Sequence, residues 1–177
     1  MSKVLVAFHS RTGYTRRVAQ ALARTLQADL EAVEPVRTRS GVLGYVRCAL
    51  EALGRWEPQI REPSHDAEKY DLVVIGTPVW FWRLASPVRS YVTRHAARAP
   101  RVAFFCTMGS QGSEAVLAEL ARLTGRAPVA ALALTDRDID RGYAPRLDAF
   151  VQALRARPPG RRGRARRRAA AVAATAG

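Results

Sequence analysis

Only two cysteines occur among 177 residues, Cys48 and Cys106, far apart and in no CxxC pair. That scarcity excludes a disulfide framework and a thiolate metal site, and two reduced thiols buried in an apolar interior are expected instead. Histidine is equally sparse. His9, His65 and His95 are scattered, with no Ser or Cys placed to form a nucleophile pair, so hydrolysis finds little support. Long apolar runs are missing too: the first strand-like run breaks at His9, too short for a secretory h-region or a membrane span, which points to a cytoplasmic protein. No GxGxxG follows a strand, and no Gly-Lys-Ser/Thr closes the first loop, so dinucleotide and triphosphate loops of those types are excluded. Asp136-Arg-Asp-Ile-Asp140 has the start of a calcium loop, but Gly142 falls one position late and Leu147 stands where a bidentate Glu is required. A surface loop with N-capping carboxylates is expected there.

Acidic residues are also few: fifteen, against twenty-nine Lys and Arg, giving a formal net charge of +14. The imbalance is uneven. From Arg155 onward there are eight arginines and no Asp or Glu, which leaves twenty-one basic against fifteen acidic residues, net +6, for residues 1–154. Residues 158–177, rich in Arg and Ala, have little bulk to bury and are expected to be a flexible tail. No aromatics interleave with those arginines for base stacking, so a solvated end is expected rather than a contact with nucleic acid or acidic membrane. Residues 1–157 fit a single domain of common size, and 48% hydrophobic with 25% charged residues is an ordinary globular mixture.

Periodicity supplies the elements. Residues 3–8 read as a buried strand, and residues 14–27 place Val18, Leu22 and Leu26 on one helical stripe. A short strand follows at 30–34, then a helix over 41–53 carried by Val42, Val46, Leu50 and Leu53, then a loop over 55–67. Leu72 to Ile75 is a continuous apolar run of the kind covered on both faces in a parallel sheet. A helix over 84–94, a strand over 101–106, a helix over 113–123 ended by Gly125, a strand over 129–134 and a helix over 143–154 complete the chain. Five strands alternating with five helices predict a doubly wound α/β/α sandwich, because parallel neighbours need crossovers that cover both faces.

The turn after the first strand has the composition of a phosphate-binding loop. Ser10, Thr12 and Thr15 supply hydroxyls, Gly13 allows a tight turn, and the following helix presents free N–H groups and the positive end of its dipole. The alternative is an ordinary turn in which Ser10 or Thr12 is only an N-cap.

Ser10-Arg-Thr-Gly-Tyr-Thr15, Gly76-Thr-Pro-Val-Trp-Phe-Trp82 and Thr107-Met-Gly-Ser-Gln-Gly112 therefore stand at the carboxyl ends of strands one, three and four. In that order and placement the set resembles the flavodoxin family, over residues 3 to about 154. The resemblance implies a five-stranded parallel sheet of order 2-1-3-4-5 and FMN at its switch point. It implies that Ser10, Arg11, Thr12, Gly13, Tyr14 and Thr15 bind the FMN phosphate. Pro78, Val79, Trp80, Phe81 and Trp82, with Thr107, Met108, Gly109 and Gly112, would flank the ring. Trp80 to Trp82 offer aromatic surface to a flat heterocycle, although three consecutive large residues cannot all point inward, and core packing is the alternative for each. Gly109 and Gly112 would let amides approach the edge where charge accumulates on reduction, or would simply turn the chain. Arg83 could raise the flavin's potential by its charge or lie in solvent, and His9 could serve the phosphate or be a structural loop histidine.

Two departures bear on function. Many flavodoxins are acidic, whereas residues 1–154 carry net +6. Pro78 to Trp82 also contains no glycine where family members often use one to flip a peptide toward the flavin. Both favour a flavodoxin-like, FMN-dependent oxidoreductase, accepting electrons from NADH, NADPH or a protein donor and passing them to a quinone or another acceptor, over a pure electron shuttle. A binding protein without redox turnover is the remaining class.

Overall fold

The computed structural model describes residues 3–36 and 57–156. The helix expected over 41–53, Cys48 and the tail at 158–177 lie outside the described residues.

The apolar runs become strands and the amphipathic stretches become helices. The order is β1 (Val4–Phe8), α1 (Tyr14–Leu26), β2 (Asp29–Ala32), β3 (Leu72–Trp80), β4 (Arg83–Leu84), α2 (Ser86–Tyr91), β5 (Val102–Met108), α3 (Ser113–Thr124), β6 (Ala131–Thr135), α4 (Asp136–Arg141) and α5 (Ala144–Arg155). A single 3₁₀ turn, Ala67–Lys69, precedes β3, and α2 continues into a wider π-helical turn over Val92–Ala96. The parallel strands run in the order β2-β1-β3-β5-β6, the expected 2-1-3-4-5 arrangement once the short antiparallel β4 is counted separately.

Strand parity divides the core. Leu5, Ala7, Val73, Ile75, Val102, Phe104 and Cys106 pack on one face against Leu84, Val88 and Tyr91 near and within α2 and against Val116 and Leu120 of α3. Val6, Phe8, Val74, Ala103, Phe105, Leu132 and Leu134 pack on the other against Val18 and Leu22 of α1, Ile139 of α4 and Phe150 of α5. Helices thus cover both faces. Phe104 and Phe105 are fully buried, each contributing about 1.5–3 kcal/mol of transfer free energy. Gly76 makes room for one of them, since a Cβ there would sit within the Phe105 ring.

Three differences from the sequence expectations have local causes. β3 continues through Trp80 instead of ending near Ile75; its pairing with β1 stops at Gly76, so Pro78 costs that ladder nothing. The segment after it turns back as a two-residue hairpin, pairing Val79 with Leu84 and Trp80 with Arg83, so α2 starts at Ser86 rather than 84. Residues 136–141 form a helix and not a loop, because Thr135 and Asp138 close a capping box at its start.

At the outer strand β6, Arg146 of α5 donates to the edge carbonyl of Ala133 at 2.6 Å and to Asp138 at 2.9 Å. Arg155, near the end of α5, donates to the carbonyl of Thr25 at 2.9 Å, tying that end to the last turn of α1. Among the described residues no helix is long and apolar enough to cross a membrane.

Candidate functional site

The three motifs meet at the carboxyl edge of the sheet. His9, which follows β1, sets its ring edge-on against Trp80 at the end of β3, with centroids 5.5 Å apart. The hydroxyls of Thr15 in α1 and Thr107 in β5 are 2.8 Å apart in a buried contact. Gly112 lies so close to the hairpin that a Cβ would stand 2.8 Å from Trp82 Cδ1 and 2.9 Å from Trp82 Cα. The residue before the first motif therefore touches the second, the first motif itself touches the third, and the third supports the second.

In the first motif, Gly13 takes a φ of +99°, a left-handed conformation that glycine tolerates best, and its N–H donates to Ser10 Oγ at 3.2 Å. α1 then begins with no side-chain cap and no acidic residue in its first turn. Its opening amides have no intrahelical acceptor, and the positive end of the dipole faces the loop. Arg11 and Thr12 are exposed beside it. Tyr14 turns outward, donating its hydroxyl to Asp140 Oδ2 at 3.0 Å, and Arg17 reaches the same carboxylate at 3.3 Å. The hydrogen bond to Asp140 holds the Tyr14 phenol above its ordinary pKa. Thr15 is buried and directed at Thr107, so its hydroxyl lies inside the fold and not in the loop's mouth.

The second motif ends in an unusual turn. Phe81 and Trp82 both have positive φ, +48° and +58°, as a type I′ hairpin turn demands, yet neither is Asn, Asp or Gly. Each such residue costs of order 1–3 kcal/mol and is held by its surroundings, here the β3–β4 pairing and the Gly112 backbone. The side chains are 46% and 62% exposed, so the core-packing alternative for Phe81 and Trp82 does not hold. Pro78, Val79 and Trp80 are half-buried along the strand. Beneath them Thr77 is buried and donates to the Pro78 carbonyl at 2.9 Å.

The third motif runs from buried Thr107 through half-buried Met108 to exposed Gly109, and Gly112 adopts a φ of +102° before α3, another helix with no side-chain cap. His9 is nearly buried. Its Nδ1 donates to the Val33 carbonyl at 2.8 Å and its backbone N–H to the Gly76 carbonyl at 3.1 Å, so it braces the ends of β1, β2 and β3. Cys106, one residue before Thr107, is a thiol pushed up to about 12 by burial and is chemically quiet. Among the described residues no group of His, Cys, Asp and Glu is arranged to hold a metal ion.

Sequence reasoning missed one participant, Asp140, which holds Tyr14 and Arg17. Asp140 sits in the segment read as a loop, and nothing in its spacing from Tyr14 signals the contact.

A parallel α/β sandwich whose strand ends gather an uncapped helix start, an exposed aromatic hairpin and a glycine loop is of the flavodoxin-like class. The family model for Flavodoxin matches residues 3–130, and the chain belongs to the flavodoxin family. Among solved structures it is similar to a flavoprotein in complex with FMN from Lactobacillus acidophilus NCFM, at 20% identity, covering 80% of this chain and 98% of that one with a TM-score of 0.65. It is similar also to a protein classed as a flavoprotein from Bacteroides eggerthii DSM 20697, at 22% identity over 85% and 99% of the two chains, with a TM-score of 0.69. Oxidised flavodoxin 1 from Bacillus cereus aligns at 17% identity over 89% and 100%, with a TM-score of 0.51. No protein of curated function matches the sequence.

Proposed function

We propose that this chain binds FMN at the rim and acts as an FMN-dependent oxidoreductase of the cytoplasm, taking electrons from NADH, NADPH or a protein donor and passing them to a quinone or another acceptor. The observation that carries the reading is the start of α1, whose amides have no side-chain cap and whose first turn contains no acidic residue, beside the contact of His9 with Trp80. A phosphate monoester fits that chemistry, because its charge complements the dipole and its oxygens accept from the open amides. The Lactobacillus acidophilus structure holds FMN, which supports the same ligand here.

In this reading Ser10, Thr12 and the amides of residues 14–16 hold the phosphate, with Arg11 alongside and the Gly13 N–H holding Ser10 in place. Tyr14 and Thr15 contribute their backbone amides, since their hydroxyls are engaged with Asp140 and Thr107. Pro78, Val79, Trp80, Phe81 and Trp82 flank one side of the ring and shield it from water. Thr107, Met108, Gly109 and Gly112 approach its other edge, where loop amides stabilise developing negative charge. FMN supplies the electron chemistry when bound, and the protein supplies orientation and electrostatic tuning, with no side chain required as acid or base.

Adding FMN to the purified apoprotein is expected to quench the flavin's fluorescence and raise Tm, as any ligand that binds only the folded state must. FMN that leaves both unchanged overturns the reading. Anaerobic mixing of the FMN-loaded protein with NADH and NADPH then tests the donor. Bleaching of the flavin band at roughly 450 nm is expected of a reductase, and a flavin that stays oxidised with both nicotinamides removes them as donors.

A further inference from the structure

We infer that the pole of the sheet opposite the rim, together with the arginines of residues 157–168, binds the phosphate backbone of double-stranded nucleic acid. None of these residues belongs to the three motifs, so the site stands whether or not FMN binds.

Topology brings the charge together. Four segments far apart in sequence, 24–28, 94–101, 122–130 and 149–156, hold Arg24, Arg94, Arg98, Arg101, Arg122, Arg126 and Arg155 and no Asp or Glu. In the fold all four lie toward the amino ends of the strands. Arg101 precedes β5, and its carbonyl accepts from the Val73 N–H at 3.0 Å. The connection that carries Arg126 closes on β5 through the Val129 N–H, which donates to the Val102 carbonyl at 2.8 Å. Arg155 is tied beside Arg24 by its bond to the Thr25 carbonyl. Six of the seven are exposed and Arg101 is half-buried. The acidic residues of this pole, Asp29, Asp66, Glu68 and Asp71, sit at the starts of β2 and β3, away from β6.

Compensation is incomplete. Arg98 pairs with Glu68 at 3.6 Å, and Arg122 reaches Glu119 at 3.9 Å, a carboxylate that Arg89 already holds at 2.6 Å. Among the described residues Arg24, Arg94, Arg101, Arg126 and Arg155 have no carboxylate in ion-pairing range. Arg24, Arg94, Arg122 and Arg155 occupy last turns of helices, where a cation complements the dipole, yet that end carries only about half an elementary charge. Arg101 and Arg126 lie in connections and have no such role. α5 ends at Arg155, so the seven arginines of residues 157–168, again with no Asp or Glu, leave the domain at this pole and bring the total to fourteen.

Chemistry selects the partner. All fourteen are guanidinium groups, whose planar fork matches phosphate oxygens. Among the described residues no exposed large hydrophobic side chain falls in these segments, so a lipid surface would be held by charge alone, whereas stable anchoring takes a second, apolar signal. Residues 158–177 contain no aromatic to stack on unpaired bases, and by themselves they give a solvated end. The pole supplies a fixed cationic platform beside their root, and a duplex, with one charge per about 1.7 Å of axis, is the densest match to it. β5 is seven residues long, so the pole stands about 20 Å from the rim and both can be occupied together.

The test titrates the full-length protein into a fluorescein-labelled DNA duplex of about 20 bp and arbitrary sequence, with binding read by anisotropy. Affinity is expected to fall about 100-fold or more between about 50 and about 200 mM salt, the dependence of about five phosphate contacts. Arg94→Gln combined with Arg126→Gln is expected to weaken binding about tenfold at the lower salt and to flatten the salt slope by about two. Arg166→Gln, Arg167→Gln and Arg168→Gln together are expected to flatten it by about two to three, and they test the proposal with the folded domain untouched. Arg137→Gln with Arg141→Gln removes an equal charge from α4 at the rim and is expected to change affinity less than about twofold. A rim pair that costs as much as the pole pair overturns the proposal, because net charge and not the pole is then responsible. So does a duplex that does not bind at the lower salt, or a single-stranded oligothymidine bound as tightly as the duplex. Vesicles of phosphatidylserine and phosphatidylcholine that displace the duplex also overturn it and assign the pole to a membrane.

Discussion

Two helices start on the same rim and solve the same problem in opposite ways. α4 begins with Thr135 accepting from the Asp138 N–H at 3.1 Å while Asp138 accepts from the Thr135 N–H at 2.8 Å, so its first amides are satisfied by its own residues. α1 begins at a left-handed glycine with no side-chain cap. One start is closed by its own side chains, and the other is left open at a glycine. A cap contributes about 1 kcal/mol, so the open start gives up stability in a place where a ligand can restore it.

The sharpest way to break this contrast is to close α1. Thr12→Asp places a carboxylate beside the open amides, where it competes with and repels a phosphate. FMN affinity is expected to fall about 100-fold, some 2–3 kcal/mol, while the apoprotein's Tm stays level or rises slightly. Fluorescence titration and thermal melts read the two quantities. Loss of affinity accompanied by an equal loss of apoprotein stability would show that Thr12 is structural.

Gly112→Ala tests an uncapped start of a different kind, because α3's first residue is preceded by a glycine pressed against Trp82 rather than facing a loop. A Cβ forced against the Trp82 backbone, at a positive φ, is expected to cost about 1–3 kcal/mol in chemical denaturation. Opening α4 comes next. Thr135→Ala removes one half of the capping box and is expected to lower stability by about 1 kcal/mol, with FMN affinity falling far less than in Thr12→Asp.

The smallest effect is one of pH. Asp138 titrates below its ordinary value of 3.8, chiefly because the Thr135 N–H donates to its carboxylate. A carboxyl lowered in the folded state stabilises above its unfolded pKa, so this contribution is present at neutral pH and is lost as pH falls below about 4. Tm measured from pH 6 to pH 3 is expected to drop less steeply in Asp138→Asn, which has no carboxyl to protonate, than in the parent. Parallel curves would show that the capping box does not couple to protonation.

What the sequence reveals follows from how local each cause is. β1, β3 and β5 are continuous apolar runs covered on both faces, and Val18, Leu22 and Leu26 repeat on a helical stripe, so the sheet and α1 were legible. The glycine-bounded loop before α1 was legible because turn, hydroxyls and helix start are contiguous. The hairpin at Phe81–Trp82 was not, since its turn type is signalled by Asn or Gly and here depends on strand pairing and the Gly112 contact. Thr15 reads as a loop hydroxyl, yet it packs inward because helix phase places it against Thr107, 92 residues away. Capping carboxylates at 136–140 were recognised, but a six-residue helix has too few turns to show a period.

Arg146 has a consequence for how the molecule behaves in company. A terminal strand with bare carbonyls invites neighbouring chains to zip alongside it and grow into ribbons. By donating its guanidinium to the Ala133 oxygen, this side chain plugs that seam and turns a sticky selvage into a charged hem.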